Sequence, residues 1–421
     1  MAEDRAARAL RLAHPIIEEI GAKSGTPGLA IGLIASDGTV QDQYHGFRDV
    51  ASKAAPNAET LFDIASLTKG FTSTAVACHV EEGKVHRNDR IHDYLVDLRM
   101  HPSCNAEIQD LLNHRSGLAR SDVLYTGSES RLLLTKAQGG AVLSHLDMPY
   151  GAKEHCIRDL SVFYSAMLRK PAAIDPSVVS NDTPVTSNGT TPIPDDRSGL
   201  NPIPENIQTI FESKIRIPTA SGSAATLVCL TRTPTIGDLD NAPLVLHHYG
   251  GHRGFSSTVY LMPELGCAIV VLGNARAHCD ATAWATQVVL EAYLYREVRT
   301  DFVPYVLEAA SRRRSVMDRV QAALDEERAE LGDASNPPLL NDLPQYTGTF
   351  WHVSRQFCIV VAVEQGGQLT MALQGWENEK YVLVITTSTR SPHWFYKIEF
   401  VESKEDELIV AIRWRIDDTK P

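Results

Sequence analysis

No run of about eighteen apolar residues occurs in this sequence, so no helix is expected to cross a bilayer. The opening "MAEDRAARALRLAHPIIEEIGAK" carries charges throughout and lacks the apolar centre of a signal peptide, which points to a cytoplasmic protein. Cysteine is sparse: seven residues, at 78, 104, 156, 229, 267, 279 and 358, odd in number and without C-x-x-C spacing. That excludes a disulfide framework and leaves free buried thiols as the expectation, so the sequons at Asn181 and Asn188 carry no meaning. Basic patches are also missing. With a net charge of −12 and dispersed Lys and Arg, neither nucleic acid nor a membrane surface is expected as a partner; Arg312 to Arg314 read as the solvated face of a charged helix. No internal repeats occur.

What is present is 421 residues, enough for a large domain, expected over 1–335, and a smaller one over 340–421. An amphipathic N-terminal helix is followed by "PGLAIGLIASDGTVQDQYHGF", where two runs flank an Asp37-Gly38 turn and make a β-hairpin. Residues from about Leu61 to Lys170 mix helical segments with polar loops. Strand signals return at "ATLVCLTRT", "PLVLHHY", "FSSTVYLM" and "GCAIVVLGN". An α/β (α+β) fold is therefore expected, with one antiparallel sheet built from both chain ends of the domain beside a helical layer. The helix "ATAWATQVVLEAYLYREV" should close that sheet, and a charged helix near Val306 to Leu331 should lead away from it. From Leu343 short β-branched and aromatic runs alternate with turns, as in a small antiparallel β-domain. The span Pro171 to Pro204 holds seven prolines and reads as a surface loop.

Two stretches carry candidate chemistry. "LHHYGGHRGF" brings together His247, His248 and His252. Neutral imidazoles suit zinc, but the two glycines weaken a helix, the preceding "LVL" reads as a strand, and no neighbouring Cys, Asp or Glu supplies a further ligand. No metal and no cofactor are expected. "DIASLTKGF" places Ser66 and Lys69 three apart at the start of a helix, where i and i+3 share a face. Unpaired N–H groups there favour a developing alkoxide on Ser66, and a desolvated Lys69 can accept its proton. Alone the pair is weak, since about one S-x-x-K is expected by chance in a chain of this length.

Context strengthens it. "LFDIASLTKGFTSTAV", then "LLNHRSGL", then "HHYGGHRGFSSTVYLMPELGCAIVVLGN" resemble, in that order, the serine β-lactamase and penicillin-binding-protein family, nearest its class C β-lactamases and esterases. The likeness covers roughly Thr26 to Arg296, discontinuously. It implies that His248, Tyr249 and Gly250 form an H-x-G strand lining the active site, that the Gly251 N–H joins the Ser66 N–H in an oxyanion hole, and that His248 faces the acyl group's partner. His247 and His252 are then strand-face and turn residues.

The family's Tyr-x-Asn motif, whose tyrosine helps to move the nucleophile's proton, is absent from this sequence, as if a piece were missing around 150–205. Tyr150, in a loop, and Tyr164, on an apolar helical stripe, are the remaining tyrosines near the expected place. The terminal domain, through "LPQYTGTFW", resembles the lipocalin-like domain appended to some members.

The resemblance implies a serine hydrolase or acyltransferase that works through an acyl-Ser66 intermediate. Its substrate would be a small-molecule ester, thioester or amide, as in the acyltransferases of polyketide and other secondary-metabolite pathways. An acyl-carrier or synthase partner is left open. The alternative is a catalytically impaired protein of the same fold with a binding or scaffold role.

Overall fold

The structure is a computed structural model describing residues 4–94, 107–112, 127, 131–135, 138, 154–155, 213–216, 224–226, 231–233, 245–252, 254–330, 343–352, 354–383, 398–402 and 409–414. It divides into two compact units, one of residues 1–90, 106–116 and 149–313, the other of 91–105, 117–148 and 314–421.

In the first unit, α1 (Arg5–Ser24) starts where the Asp4 carboxylate accepts the Ala6 N–H and stops at Gly25, whose φ of 74° only glycine adopts without strain. Ala6, Ala9, Leu10, Ala13, Ile17 and Ile20 recur at helical spacing and form its buried stripe. The expected hairpin follows as β1 (Gly28–Ile34) and β2 (Val40–Gly46), paired antiparallel. Asp37 Oδ1 accepts the Thr39 N–H at 2.9 Å and closes the turn.

Next come the short strand β3 (Phe62–Asp63), α2 (Thr68–Glu81) and the short helices α3 (Ile91–Tyr94) and α4 (Ile108–Leu112). β4 (Glu154–His155) pairs with β3. The later strands are β5 (Ser213–Arg216), β6 (Ala224–Thr226), β7 (Thr231–Thr233), β8 (Val245–His252), β9 (Phe255–Met262) and β10 (Cys267–Gly273). Together with the N-terminal hairpin they make one eight-stranded sheet in the order β2-β1-β10-β9-β8-β7-β6-β5. The sheet is thus antiparallel and drawn from both ends of the unit, as expected. One reading needs correction: "ATLVCLTRT" is two strands, β6 and β7, paired with each other at Ala225 and Thr231. Apolar alternation marks a strand but cannot show where it folds back, because the fold-back depends on its partner.

The strands β1 and β10 are buried along their whole length, which is why they read as unbroken apolar runs. On one face, α1 and α5 (Ala281–Tyr295) pack on Leu29, Ile31, Leu33, Tyr260, Ile269 and Val271. On the other, Phe62, Ile64 and Leu67 pack on Ala30, Leu246, Val259 and Leu272. The Asp280 carboxylate caps α5, accepting the Ala283 N–H. The charged helix α6 (Val303–Glu330) begins three residues ahead of the position expected.

The second unit contains a four-stranded antiparallel sheet of β11 (Gly348–Trp351), β12 (Cys358–Val363), β13 (Leu369–Leu373) and β14 (Lys380–Val382), in that order. β15 (Ile398–Glu402) and β16 (Ile409–Trp414) form a separate pair. Its core joins Phe357, Ile359, Val361, Leu369 and Leu373 to Leu133 and Leu134. No helix among the described residues is long and apolar enough to cross a membrane. Tyr150, Tyr164 and the proline-rich span from Pro171 to Pro204 lie outside the described residues.

Candidate active site

The segment that bears Ser66 is a single 3-10 turn, Ala65–Leu67, running directly into α2. The lysine amine nitrogen and the serine hydroxyl meet as the i, i+3 spacing requires, with Lys69 Nζ 2.8 Å from Ser66 Oγ. Ser66 is half-buried. Lys69 is exposed, which corrects the expectation of a desolvated lysine: the first turn of α2 presents position 69 outward.

Ala65, just before the serine, has a φ of 48°, left-handed backbone that a residue with a Cβ adopts only at a cost. Three contacts hold that turn. Asp63 Oδ1 accepts the Ala65 N–H at 2.7 Å. The Ser257 hydroxyl donates to the Ile64 carbonyl at 2.8 Å. The other Asp63 oxygen, Oδ2, lies 2.7 Å from His252 Nδ1, tying the turn to the end of β8.

Alternation along β8 decides which residues face this turn. Leu246 belongs to the Ser66-side core, so His248, Gly250 and His252 share its face, while His247 and Tyr249 turn towards the helices. Gly250 lies against the turn itself: a Cβ there would overlap the Ser257 hydroxyl and the Ile64 carbonyl oxygen and stand 3.3 Å from the Ser66 backbone nitrogen. Only a glycine allows the strand to approach the nucleophile's N–H so closely. Gly251 follows on the strand, paired with Ser256. A Cβ on Gly251 would stand 2.8 Å from Arg276 Nη1, which places a guanidinium beside the strand.

His247 is a strand-face residue, as expected, its ring 4.9 Å from that of Tyr249 and 5.5 Å from that of Tyr260. Burial, and secondly the neighbouring His248, lowers its pKa to about 4, so it is neutral at pH 7. His252 does more than occupy a turn, and the sequence reading also missed Asp63 as an acidic neighbour of the histidine stretch. The parity of 248, 250 and 252 was a usable signal for His252. Nothing local marks Asp63 or Ser257, because each meets the site through residues distant along the chain. Among the described residues, these histidines belong to no group of three metal-ligating side chains.

Residues 14–138 match the Beta-lactamase family model. This stretch belongs to the β-lactamase family. It contains Ser66 and Lys69, whereas the β8 residues lie beyond it. Among curated proteins, "Protein flp" of Staphylococcus aureus strain MW2 is 29% identical over 137 residues, 31% of this chain and 28% of the relative. "Uncharacterized protein MT1414" of Mycobacterium tuberculosis is 37% identical over 89 residues, 18% of this chain and 22% of the relative. The chain therefore spans less than a third of the length of these relatives. Among solved structures, the octameric penicillin-binding protein homologue from Pyrococcus abyssi aligns with a TM-score of 0.48 at 16% identity, covering 88% of this chain and 89% of that one. A class C β-lactamase from Rhodobacter sphaeroides aligns with a TM-score of 0.47 at 15% identity, covering 68% and 99%.

Proposed function

We propose that the chain is a serine hydrolase or acyltransferase acting through an acyl-Ser66 intermediate. The observation that carries this reading is the 2.8 Å separation of Lys69 Nζ and Ser66 Oγ, on a turn against which β8 is pressed at Gly250. In this reading Ser66 Oγ attacks the acyl carbonyl while its proton passes to Lys69. The carbonyl oxygen becomes an oxyanion facing the Ser66 and Gly251 N–H groups, and His248 borders the acyl group's partner. Collapse expels an alcohol, thiol or amine, which leaves with a proton. Water or a second bound nucleophile then attacks the acyl-enzyme and frees Ser66.

The substrate would be a small-molecule ester, thioester or amide. The catalytic domain would run over 1–335 with an appended β-domain over 340–421. A secondary-metabolite acyltransferase in the cytoplasm is the more specific form of the same reading.

Two observations favour a second reading. Lys69 is exposed, and the sequence has no Tyr-x-Asn to share the proton transfer, as in a catalytically impaired protein kept for binding. Labelling with an acyl phosphonate, mapped by mass spectrometry, separates the two. An active site is labelled at Ser66 alone, and Ser66→Ala abolishes the label. Modification that survives Ser66→Ala refutes the assignment. Slow labelling with no dependence on Lys69 selects the impaired reading.

A further inference from the structure

On the helix-covered face of the first unit, at the sheet edge, two histidines and a carboxylate converge. The edge strand β2 is polar, and its single buried residue is His45. In the hairpin register His45 stands opposite Leu29, a residue of the core beneath α1 and α5, so its ring points under α1. There it meets His14, with ring centroids 4.7 Å apart at 34°. One helical turn on, Glu18 Oε1 lies 3.4 Å from His14 Nε2. One ligand atom from each of His14, Glu18 and His45 lies within 4.8 Å of the others.

We propose that His14, Glu18 and His45 bind a divalent transition-metal cation such as zinc, which clips α1 to the edge strand β2.

Hydrogen bonding leaves the His45 ring ready for a cation. His45 Nε2 is 3.1 Å from Gln43 Oε1, and because an amide oxygen only accepts, the proton sits on Nε2 and the lone pair on Nδ1. That Nδ1 is buried without a hydrogen-bond partner, and His14 turns its Nε2 to Glu18, the nitrogen from which the two can share an ion. A metal-bound imidazole is commonly oriented by just such an acceptor on its other nitrogen.

Bonds of about 2.0–2.2 Å to zinc bring ligands to within roughly 3.3 Å of one another in a tetrahedron. The remaining closure falls to Glu18, an exposed side chain on the helix surface, free to swing inward. A groove of about 360 Å³, lined by Arg11, His14, Gln41, Asp42 and Gln43 among others, adjoins the rings and gives water access to a fourth position. Arg11 is the one cation among the described residues of that lining, which it shares with the Asp42 carboxylate.

Ser66 belongs to the opposite face of the sheet, so the cation would serve stability and not acyl transfer. The full-length chain, stripped with EDTA and exchanged into chelator-free buffer, is titrated with zinc by calorimetry and then melted with and without zinc. One equivalent should bind and raise the melting temperature. His14→Asn and Glu18→Gln should each weaken binding about tenfold or more and abolish the rise. Cobalt(II) should give the visible absorption of a low-coordinate site in the wild type and lose it in both variants. Absence of zinc binding in the wild type overturns the proposal, as does binding unchanged in both variants, which would place the metal on the cysteines or on other histidines. If His45→Ala fails to fold, the two helix variants still decide. Acyl phosphonate labelling of Ser66 is unaffected by zinc, so failure here is distinguishable from failure of the Ser66 assignment.

Discussion

Gly250→Ala should silence Ser66 without unfolding the protein, and Gly251→Ala should not. A methyl on Gly250 would overlap two groups and press on a third, the Ser66 nitrogen at 3.3 Å. The Ser257 hydroxyl can rotate away, at the loss of its 2.8 Å bond to the Ile64 carbonyl, a cost of about 1 kcal/mol. The Ile64 carbonyl cannot: it belongs to the turn that leads into Ser66, and relief requires the turn and β8 to separate by roughly 1 Å, a misplacement that costs about a hundredfold in rate. Overpacking of this kind also costs about 1–3 kcal/mol of stability, little enough to leave the chain folded. On Gly251 the same methyl meets only Arg276 Nη1, at 2.8 Å, the end of a flexible side chain that swings aside. The assay is the second-order rate of Ser66 labelling by an acyl phosphonate, with a thermal melt to show that both variants fold. A Gly250→Ala protein that labels at the wild-type rate would refute the argument that close approach of β8 shapes the nucleophile's surroundings.

Lys69→Met should slow Ser66 labelling about a hundredfold or more, and Lys69→Arg should not restore it, because a guanidinium stays charged and accepts no proton; equal rates in all three proteins would remove Lys69 from the mechanism. His252→Ala should slow labelling while leaving its site unchanged, since the 2.7 Å contact to Asp63 steadies the strained Ala65 turn; relocation of the label to Ser256, fully buried here, would contradict the structure. His45 and His247, each lowered to about 4, stay neutral when folded while the unfolded chain takes up protons below about 6.5. Stability should therefore fall as pH drops from 6.5 to 5, by about 2 kcal/mol for each histidine; urea unfolding free energies that are flat over that window would show that neither is buried as described. EDTA should leave Ser66 labelling unchanged, because no metal is part of that site; loss of labelling restored by zinc would reverse this.

Local chemistry decided much of this protein in advance. The Asp37-Gly38 turn set the first hairpin, and the stripe from Ala6 to Ile20 set the buried face of α1. Full burial of β1 and β10 appears as continuous apolar runs, and the three-residue spacing of Ser66 and Lys69 brings their side chains together on any helical turn. These are short-range relations of period 2 or 3.6, and sequence records them directly. What depended on strand order could not be read there. β10 lies between β1 and β9 in the sheet, and the packing of Phe62, Ile64 and Leu67 on that sheet brings Asp63 to His252 and Ser257 to the Ile64 carbonyl. The exposure of Lys69 and the burial of His45 beneath α1 likewise follow from which faces are covered. Each is a meeting of residues distant along the chain, fixed by pairing and packing free energies summed over the whole sheet, and no local pattern encodes it.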